Sequence, residues 1–337
     1  MSDRLAVVTG GAGFIGSHAV DILLARGYSV RVVDNLRGGR LANLDDALAS
    51  GKVSVFEQDI CALASDAAIF RGVDLVLHFA GIGDIVPSVE RPVDYLNTNV
   101  MGTVRVLEAS RAAGVRRFVY AASSSCYGAS PPTPTSESAP IVTEYPYALS
   151  KYLGEQAAFH WMNVYGLPVN SIRIFNAFGT RSRTSGAYGA VFGVFLKQKL
   201  ANAPFTVIGD GTQRRDFVYV TDVAEAFVLA GESALAGRIW NLGCSNPQSV
   251  NRLVELLQGP VVHLPKRPGE PDVTWADTAA IERDLGWSPG VSFEEGIGKV
   301  LADIDYWAEA PLWNEQSIAA ATASWFEMLD DSKKGRT

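Results

Sequence analysis

Tyr147 and Lys151 stand four residues apart in Tyr147-Ala148-Leu149-Ser150-Lys151, a spacing that puts both side chains on one face of a helix. A free phenol has a pKa of about 10 and is a weak base at neutral pH. A cation held beside it favours the phenolate, which can then take a proton from a hydroxyl group. Ser123 follows the apolar run Phe118-Val119-Tyr120-Ala121 and could donate to the reacting oxygen and relay a proton to Tyr147. Ser124 and Ser125 come next, and strand register favours Ser123 as the one facing inward. A Tyr-Lys pair at this spacing is common on helix surfaces. Its chemistry therefore depends on what the rest of the chain places beside it.

A glycine-rich turn supplies that context. Leu5-Ala6-Val7-Val8 reads as a buried strand, and Ala19, Val20, Ile22, Leu23 and Leu24 read as a helix closed by Gly27. Between them lies Thr9-Gly10-Gly11-Ala12-Gly13-Phe14-Ile15-Gly16-Ser17. A glycine turn from strand to helix presents bare N–H groups and a positive helix end to a pyrophosphate. Gly10 suits the tight turn, Gly13 the approach of phosphates, and Gly16 close packing of the helix. A second strand, Val30-Arg31-Val32-Val33, ends in Asp34, eighteen residues after Gly16. A carboxylate there can accept both hydroxyls of an adenosine ribose and repels a 2′-phosphate. These residues predict NAD rather than NADP, with Arg37 and Arg40 close enough to soften the repulsion. The positive nicotinamide ring of NAD⁺ would join Lys151 in favouring the phenolate, and Lys151 can also hold the nicotinamide ribose. Tyr147 could then deprotonate a sugar hydroxyl while the adjacent carbon gives hydride to the cofactor.

Elements that would position these groups alternate through the first half. Strands are expected at 53–56, 75–79, 118–121 and 171–175, with helices near 63–70, 93–113 and 147–165. Near-continuous apolar strands joined by helices predict a parallel sheet covered on both faces. The expected fold class is α/β, a Rossmann-type doubly wound sheet with a smaller α/β C-terminal substrate domain. Gly10, Asp34, Asp59, Gly81, Ser123 and Asn176 each end a strand, so they should gather on one rim. The expected division is residues 1–176 for the cofactor domain, with returning elements near 205–240, then an interleaved substrate domain at 177–310 and a helical tail at 311–337. Pro131, Pro132, Pro134, Pro140 and Pro146 make 129–146 a stiff loop, suited to walling an active site. In the tail, Asn314 could cap a helix whose Ile318, Thr322, Trp325, Phe326 and Leu329 share a face. That face is expected to pack on its own domain, or else on a second subunit. Residues 332–337 are expected to be disordered.

The chain has 337 residues, 47% hydrophobic and 19% charged, with net charge −7 and no basic block. That balance fits a soluble protein and argues against nucleic acid as a partner. No signal peptide or membrane span is expected. Cys61, Cys126 and Cys244 are scattered, as are the four histidines. No metal site is expected, and the thiols suit a reducing, cytoplasmic setting.

Taken together, these motifs resemble the extended short-chain dehydrogenase/reductases, and within them the UDP-sugar 4-epimerases, including the UDP-N-acetylglucosamine type. The likeness runs from about residue 4 to about residue 300. It rests on Thr9 to Gly16, Asp34-Asn35, Asp59-Ile60, His78-Phe79-Ala80-Gly81, Asn99 to Thr103, Ala121 to Gly128, Tyr147 to Lys151, Arg173 to Asn176, Gly209-Asp210-Gly211 and Arg215-Asp216-Phe217. The resemblance implies that Phe14 and Ile15 lend amides to the pyrophosphate, that Asn35 joins Asp34 at the cofactor, and that Asp59 and Ile60 face the adenine. It implies that Phe79, Ala80 and Gly81 line the cofactor, with Asn99 beside it. Ser125 and Asn176 would meet the substrate, and Arg215 and Arg267 would grip its diphosphate. Sugar 4,6-dehydratases of this family carry an Asp-Glu pair where Ser124 and Ser125 stand, and decarboxylases usually keep a Glu at the second position. Some epimerases close the pocket to a 2-acetamido group with a tyrosine where this chain has Thr274. Two departures stand out: Gly81 ends what is usually His-x-Ala-Ala, and nothing past residue 300 matches the simple epimerase pattern.

The expected function is an NAD-dependent nucleotide-sugar 4-epimerase acting through a 4-keto intermediate. The alternatives are dehydration, decarboxylation or reduction on the same scaffold, or a non-catalytic NAD-binding protein. A homodimer is expected through the helices near 93–113 and 147–165.

Overall fold

The apolar runs of the first half become the strands of one sheet, and the stretches between them become its covering helices. The structure is a computed structural model that describes residues 4–182 and 191–329. The first half comprises β1 (Arg4–Thr9), α1 (Phe14–Ala25), β2 (Tyr28–Asp34), α2 (Asp45–Ala49), β3 (Val53–Glu57), β4 (Leu75–His78), α3 (Pro92–Leu96), α4 (Thr103–Ala112), β5 (Arg117–Ser123), α5 (Pro146–Tyr165) and β6 (Val169–Ile174). The second half comprises β7 (Asn176–Phe178), α6 (Val191–Leu200), β8 (Phe205–Ile208), β9 (Arg214–Arg215), β10 (Phe217–Tyr219), α7 (Val220–Glu232), β11 (Ile239–Leu242), β12 (Gln248–Ser249), α8 (Val250–Leu257), β13 (Val261–Leu264), α9 (Ala279–Leu285), α10 (Phe293–Ala302) and α11 (Glu315–Leu329).

Among the described residues, seven strands form one parallel sheet in the order β11-β6-β5-β4-β1-β2-β3. The chain reverses direction across the sheet between β1 and β4, the place where such sheets bind ligands. Alternation along β1 shows why both faces are covered. Ala6 and Val8 pack with Val20 and Leu23 of α1 and Phe227 of α7. Val7 faces the other way, with Val106 and Leu107 of α4 and Ala158 of α5. A second, aromatic core joins Phe178, Phe192, Phe195, Phe205, Phe217 and Phe293, with Phe178 stacked on Phe192 at 4.8 Å. Burying a side chain of this size contributes roughly 1.5–3 kcal/mol, against about 0–1 kcal/mol for an exposed ion pair. The two cores, not the surface charges, therefore hold the layers.

Several expectations need correction. Residues 63–70 are not a helix. Asp59 accepts a hydrogen bond from the Cys61 N–H and closes a single 3-10 turn at Ile60–Ala62; Leu63 is then extended, and a second 3-10 turn follows at Ala68–Phe70. The helix expected at 93–113 contains a π-helical segment, Asn97–Gly102. There the Thr103 hydroxyl donates to the Asn99 carbonyl at 2.7 Å, competing with the regular backbone bond. Strand β8, at 205–208, does not return to the main sheet. It pairs with β13, because Phe205 stacks on Phe195 in the second core. Strand β11 and helix α7 do return. Asn176 does not end β6 but opens β7, which pairs with β10.

The loop through 129–145 is free of helix and is tied down at Thr135, whose N–H donates to the Trp275 carbonyl at 2.7 Å. Asn314 caps α11 by accepting from the Ser317 N–H at 2.9 Å. Ile318, Thr322, Trp325 and Leu329 are buried against their own chain, with Phe326 half-buried. Residues 332–337 lie outside the described residues.

Candidate active site

A continuous cavity of about 1090 Å³ runs along the carboxyl ends of the main sheet. That is the upper end of the range for ligand pockets, about 300–1,000 Å³. Gly10, Gly13, Phe14, Ile15, Gly16, Asp34, Asn35, Asp59, Ile60, Phe79, Ala80 and Gly81 line one end. Ser123, Ser125, Tyr147, Lys151, Asn176, Arg215, Arg267 and Thr274 line the rest.

At the glycine turn, Gly10 has φ +69°, and a Cβ there would lie 2.8 Å from the Ala80 nitrogen. A Cβ on Gly16 would lie 2.2 Å from the Gly10 carbonyl oxygen. The first turn of α1 can fold against this turn only without those side chains. No side chain caps the N-terminus of α1, so its first amides face the cavity end with their donors open to an anion. Asp34 is fixed by the Ala12 N–H at 3.0 Å and the Leu36 N–H at 2.9 Å. Burial raises its pKa, and those two bonds oppose the rise. Each oxygen keeps acceptor capacity for a ribose hydroxyl. Burial also pushes the Asp59 carboxyl up, but bonds from the Cys61 N–H and from Asn35 outweigh it and hold the group below its ordinary value. Asn35 donates to Asp59 at 3.0 Å. A bare helix end, a fixed ribose-type carboxylate and a slot that a Cβ would fill all fit NAD.

Asn99 lies directly behind Gly81, where a Cβ on that glycine would come within 2.9 Å of its Oδ1. It is buried one layer behind, where its side chain accepts from the Ile82 N–H at 2.8 Å and donates to the Ile82 carbonyl at 3.1 Å and to Ser150 Oγ at 2.9 Å. Ser150 in turn donates to the Tyr147 carbonyl at 2.8 Å. Asn99 thus ties the loop after Gly81 to the first turn of α5.

Ser123 ends β5, and Tyr147 and Lys151 sit in the first two turns of α5. Ser123 Oγ accepts from the Ser125 N–H at 3.2 Å. Tyr147 packs edge-on against Tyr95, with centroids 6.4 Å apart. Burial raises the Tyr147 pKa, a hydrogen bond with Ser123 lowers it, and the Asp84 carboxylate raises it. Burial lowers the Lys151 ammonium to about 8, opposed by Glu155. The Lys151 Nζ rests 4.7 Å above the Tyr120 ring. In the protein alone, burial dominates at Tyr147, and the hydrogen bond with Ser123 opposes it.

At the far end, Glu270 lies between the two arginines. Its Oε1 is 2.5 Å from Arg267 Nη2, and its Oε2 is 4.0 Å from Arg215 Nη2. Arg215 also donates to the Pro271 carbonyl at 2.8 Å. Thr274 Oγ1 donates to Asn176 Oδ1 at 2.7 Å and accepts from the Asp216 N–H at 3.1 Å. Sequence reading missed Glu270, Asp84, Tyr145, Phe192 and Trp325, which also line the cavity. A carboxylate three residues after Arg267 was a usable signal for Glu270. Nothing local in the sequence pointed to Trp325.

The model of the NAD dependent epimerase/dehydratase family matches residues 6–243. The chain belongs to this family. It is 37% identical over 305 residues to a UDP-glucose 4-epimerase of Mycolicibacterium smegmatis, covering 88% of this chain and 96% of the relative. It superposes on a UDP-N-acetylglucosamine 4-epimerase of Methanobrevibacter ruminantium, solved with UDP-N-acetylmuramic acid, with TM-score 0.84 and 29% identity over 92% of this chain and 99% of that one. A UDP-glucuronic acid 4-epimerase of Bacillus cereus, solved with UDP-glucuronic acid and NAD, gives TM-score 0.83 and 29% identity over 91% and 99%. As in that family, the cofactor is NAD. Among the described residues, no His, Cys, Asp and Glu group is placed to hold a metal, and no helix is long and apolar enough to cross a membrane.

Proposed function

We propose that this chain is an NAD-dependent nucleotide-sugar 4-epimerase of the UDP-hexose or UDP-N-acetylhexosamine type. The observation that carries the reading is one cavity with a dinucleotide cradle at one end, Ser123, Tyr147 and Lys151 in the middle and a pair of arginines at the other. Bound NAD⁺ supplies a hydride acceptor that can return what it takes, and its positive ring favours the phenolate that burial opposes. Tyr147 takes the proton of the 4-hydroxyl, with Ser123 hydrogen-bonded to it to stabilise the developing charge. Lys151 orients the cofactor ribose. Arg215 and Arg267 hold the diphosphate by forked hydrogen bonds while the 4-keto sugar turns to offer its other face. Ser124 and Ser125 follow Ser123 on a 3-10 turn and bring no carboxylate for elimination, which favours epimerisation over dehydration or decarboxylation. Thr274 leaves room for a 2-acetamido group.

The test is Tyr147→Phe assayed against a panel of UDP-sugars, with products read by NMR and mass. Epimerisation leaves the mass unchanged. The variant should lose roughly 10²–10⁴-fold in turnover yet keep bound NAD, and near-wild-type activity would refute the mechanism. We further infer a homodimer through α3 to α4 and α5, where Val93, Met101, Leu149 and Leu153 are exposed. A monomer mass in solution would exclude it.

A further inference from the structure

We propose that α11 is a clasp between the two halves of the molecule and that Trp325, its pin, is a positioning residue for Arg267. Through the Pro268 carbonyl it sets the loop that carries Arg267 and Glu270. The part of Arg267 in holding a diphosphate rests on the epimerase reading. The placement of the loop rests on α11.

The first turns of that helix belong to the second core, where Ile318 is buried and Ala321 packs, and Gln198 donates to the Trp313 carbonyl just before it at 2.9 Å. Its last turns meet the first half, where Trp325 and Leu329 cluster with Val86, Val89 and Tyr145. The indole is 2% exposed, and its ring lies 5.2 Å from that of Tyr145. Enclosed in this way, it acts only through the groups it touches. Its one donor, the indole N–H, is spent on the Pro268 carbonyl at 2.9 Å. Leu329 backs the same loop: a Cβ on Gly269 would lie 3.7 Å from its Cδ1.

The loop has little else to hold it. It follows β13, which ends at Leu264. Among the described residues, no backbone–backbone hydrogen bond involves Pro265 to Pro271. Side-chain donors take their place: Trp325 at the Pro268 carbonyl, and Arg215 at the Pro271 carbonyl at 2.8 Å. The Lys266–Asp272 ion pair is exposed and adds little. Pro268 directly follows Arg267, so fixing its carbonyl fixes the backbone from which the guanidinium reaches the cavity. Glu270 then holds that guanidinium, with Oε1 2.5 Å from Arg267 Nη2. A forked grip on a diphosphate depends on such geometry. An arginine already posed gives up less freedom on binding than one that must find its place.

The experiment uses the full-length, NAD-loaded protein with Trp325→Phe, Arg267→Ala and the two combined. Phenylalanine keeps a ring against Tyr145 and removes the donor to Pro268. Binding of UDP is measured by calorimetry. Limited trypsin cleavage of the Lys266–Arg267 bond reports on the loop directly. Trp325→Phe should bind UDP about three- to tenfold more weakly, as one lost hydrogen bond implies. In the Arg267→Ala background the same change should cost less than about twofold, because the group it positions is gone. Cleavage after Lys266 should quicken by at least about threefold, with bound NAD unchanged. Equal losses of UDP affinity in the two backgrounds would assign Trp325 a general structural role and overturn the proposal, as would unchanged UDP binding in Trp325→Phe. Should the wild-type protein bind no UDP and epimerise no UDP-sugar, the epimerase reading falls. Cleavage then decides the clasp by itself: a wild-type rate in Trp325→Phe would overturn it, and a faster rate would uphold it.

Discussion

Lys151→Met should make the protein more stable and nearly inactive. The Lys151 side chain is buried, and burial drops its pKa from 10.5 to about 8. At pH 7 the ammonium is charged in both folded and unfolded states, and a shift of that size corresponds to about 3 kcal/mol of destabilisation of the folded form. Methionine has nearly the same length and carries no charge to bury. Replacing the lysine also removes its place over the Tyr120 ring, which offsets roughly 0.5–2 kcal/mol, so the net gain at pH 7 is about 1–3 kcal/mol. The sign is opposite to that of a lysine whose pKa is raised by a partner. Because the folded pKa is depressed, the unfolded chain binds the extra proton between pH 8 and 10.5, and wild-type stability rises through that window. The gap between wild type and Lys151→Met should therefore be widest below pH 8 and close as pH climbs towards 10.5. Thermal or urea unfolding of both proteins, at pH 7 and pH 10 and stripped of NAD, measures it. A variant less stable than wild type at pH 7, or a gap that does not change with pH, would refute the claim that this ammonium is held at the expense of stability for the sake of the site.

Asn99→Ala should leave the Ile82 N–H and carbonyl without their partner and destabilise the fold by about 1–3 kcal/mol. It should also weaken NAD binding from behind Gly81; unchanged retention of NAD on purification would show that the loop stands without it. Thr274→Tyr should cut kcat/KM for UDP-N-acetylglucosamine by at least about tenfold while UDP-glucose suffers less, by the overpacking typical of added bulk. Thr274→Val is the control, since it removes the hydrogen bonds to Asn176 and Asp216 without the ring, and equal losses in both variants would assign the effect to those bonds.

The sheet was legible because its strands are apolar on both faces, as parallel strands between helix layers must be. Val7 and Val8 are both fully buried, on opposite sides. Gly10, Asp34, Gly81 and Ser123 came to one rim because strand ends of such sheets share a side. What the sequence hid was whatever depends on a distant partner. The crossover at 63–70 has helical composition, yet the Asp59 side chain diverts its start into a 3-10 turn. Asn99 carries a family motif but spends its amide on Ile82 and Ser150. Trp325 gave its helix a readable stripe, yet that stripe could not say that its indole would reach Pro268 and Tyr145.

The electrostatics of Tyr147 show most sharply what spacing alone leaves open. Four residues of helix bring Lys151 to the same cavity, but burial lowers its own pKa and leaves its ammonium over Tyr120. The same burial raises the phenol, and Asp84 adds to the rise. Within the protein, then, the base is held protonated, with only the Ser123 hydrogen bond against that state. A site built this way gains its basicity when a positive ring is seated beside the phenol, which couples proton removal to the presence of an oxidised cofactor. The activity of the NAD-loaded protein should accordingly fall as pH drops through a pKa well below that of Tyr147 in the NAD-free protein. Titrating the tyrosine by ultraviolet difference absorbance, with and without NAD⁺, measures the gap; identical values in the two states would mean that the phenol is activated by something other than the dinucleotide.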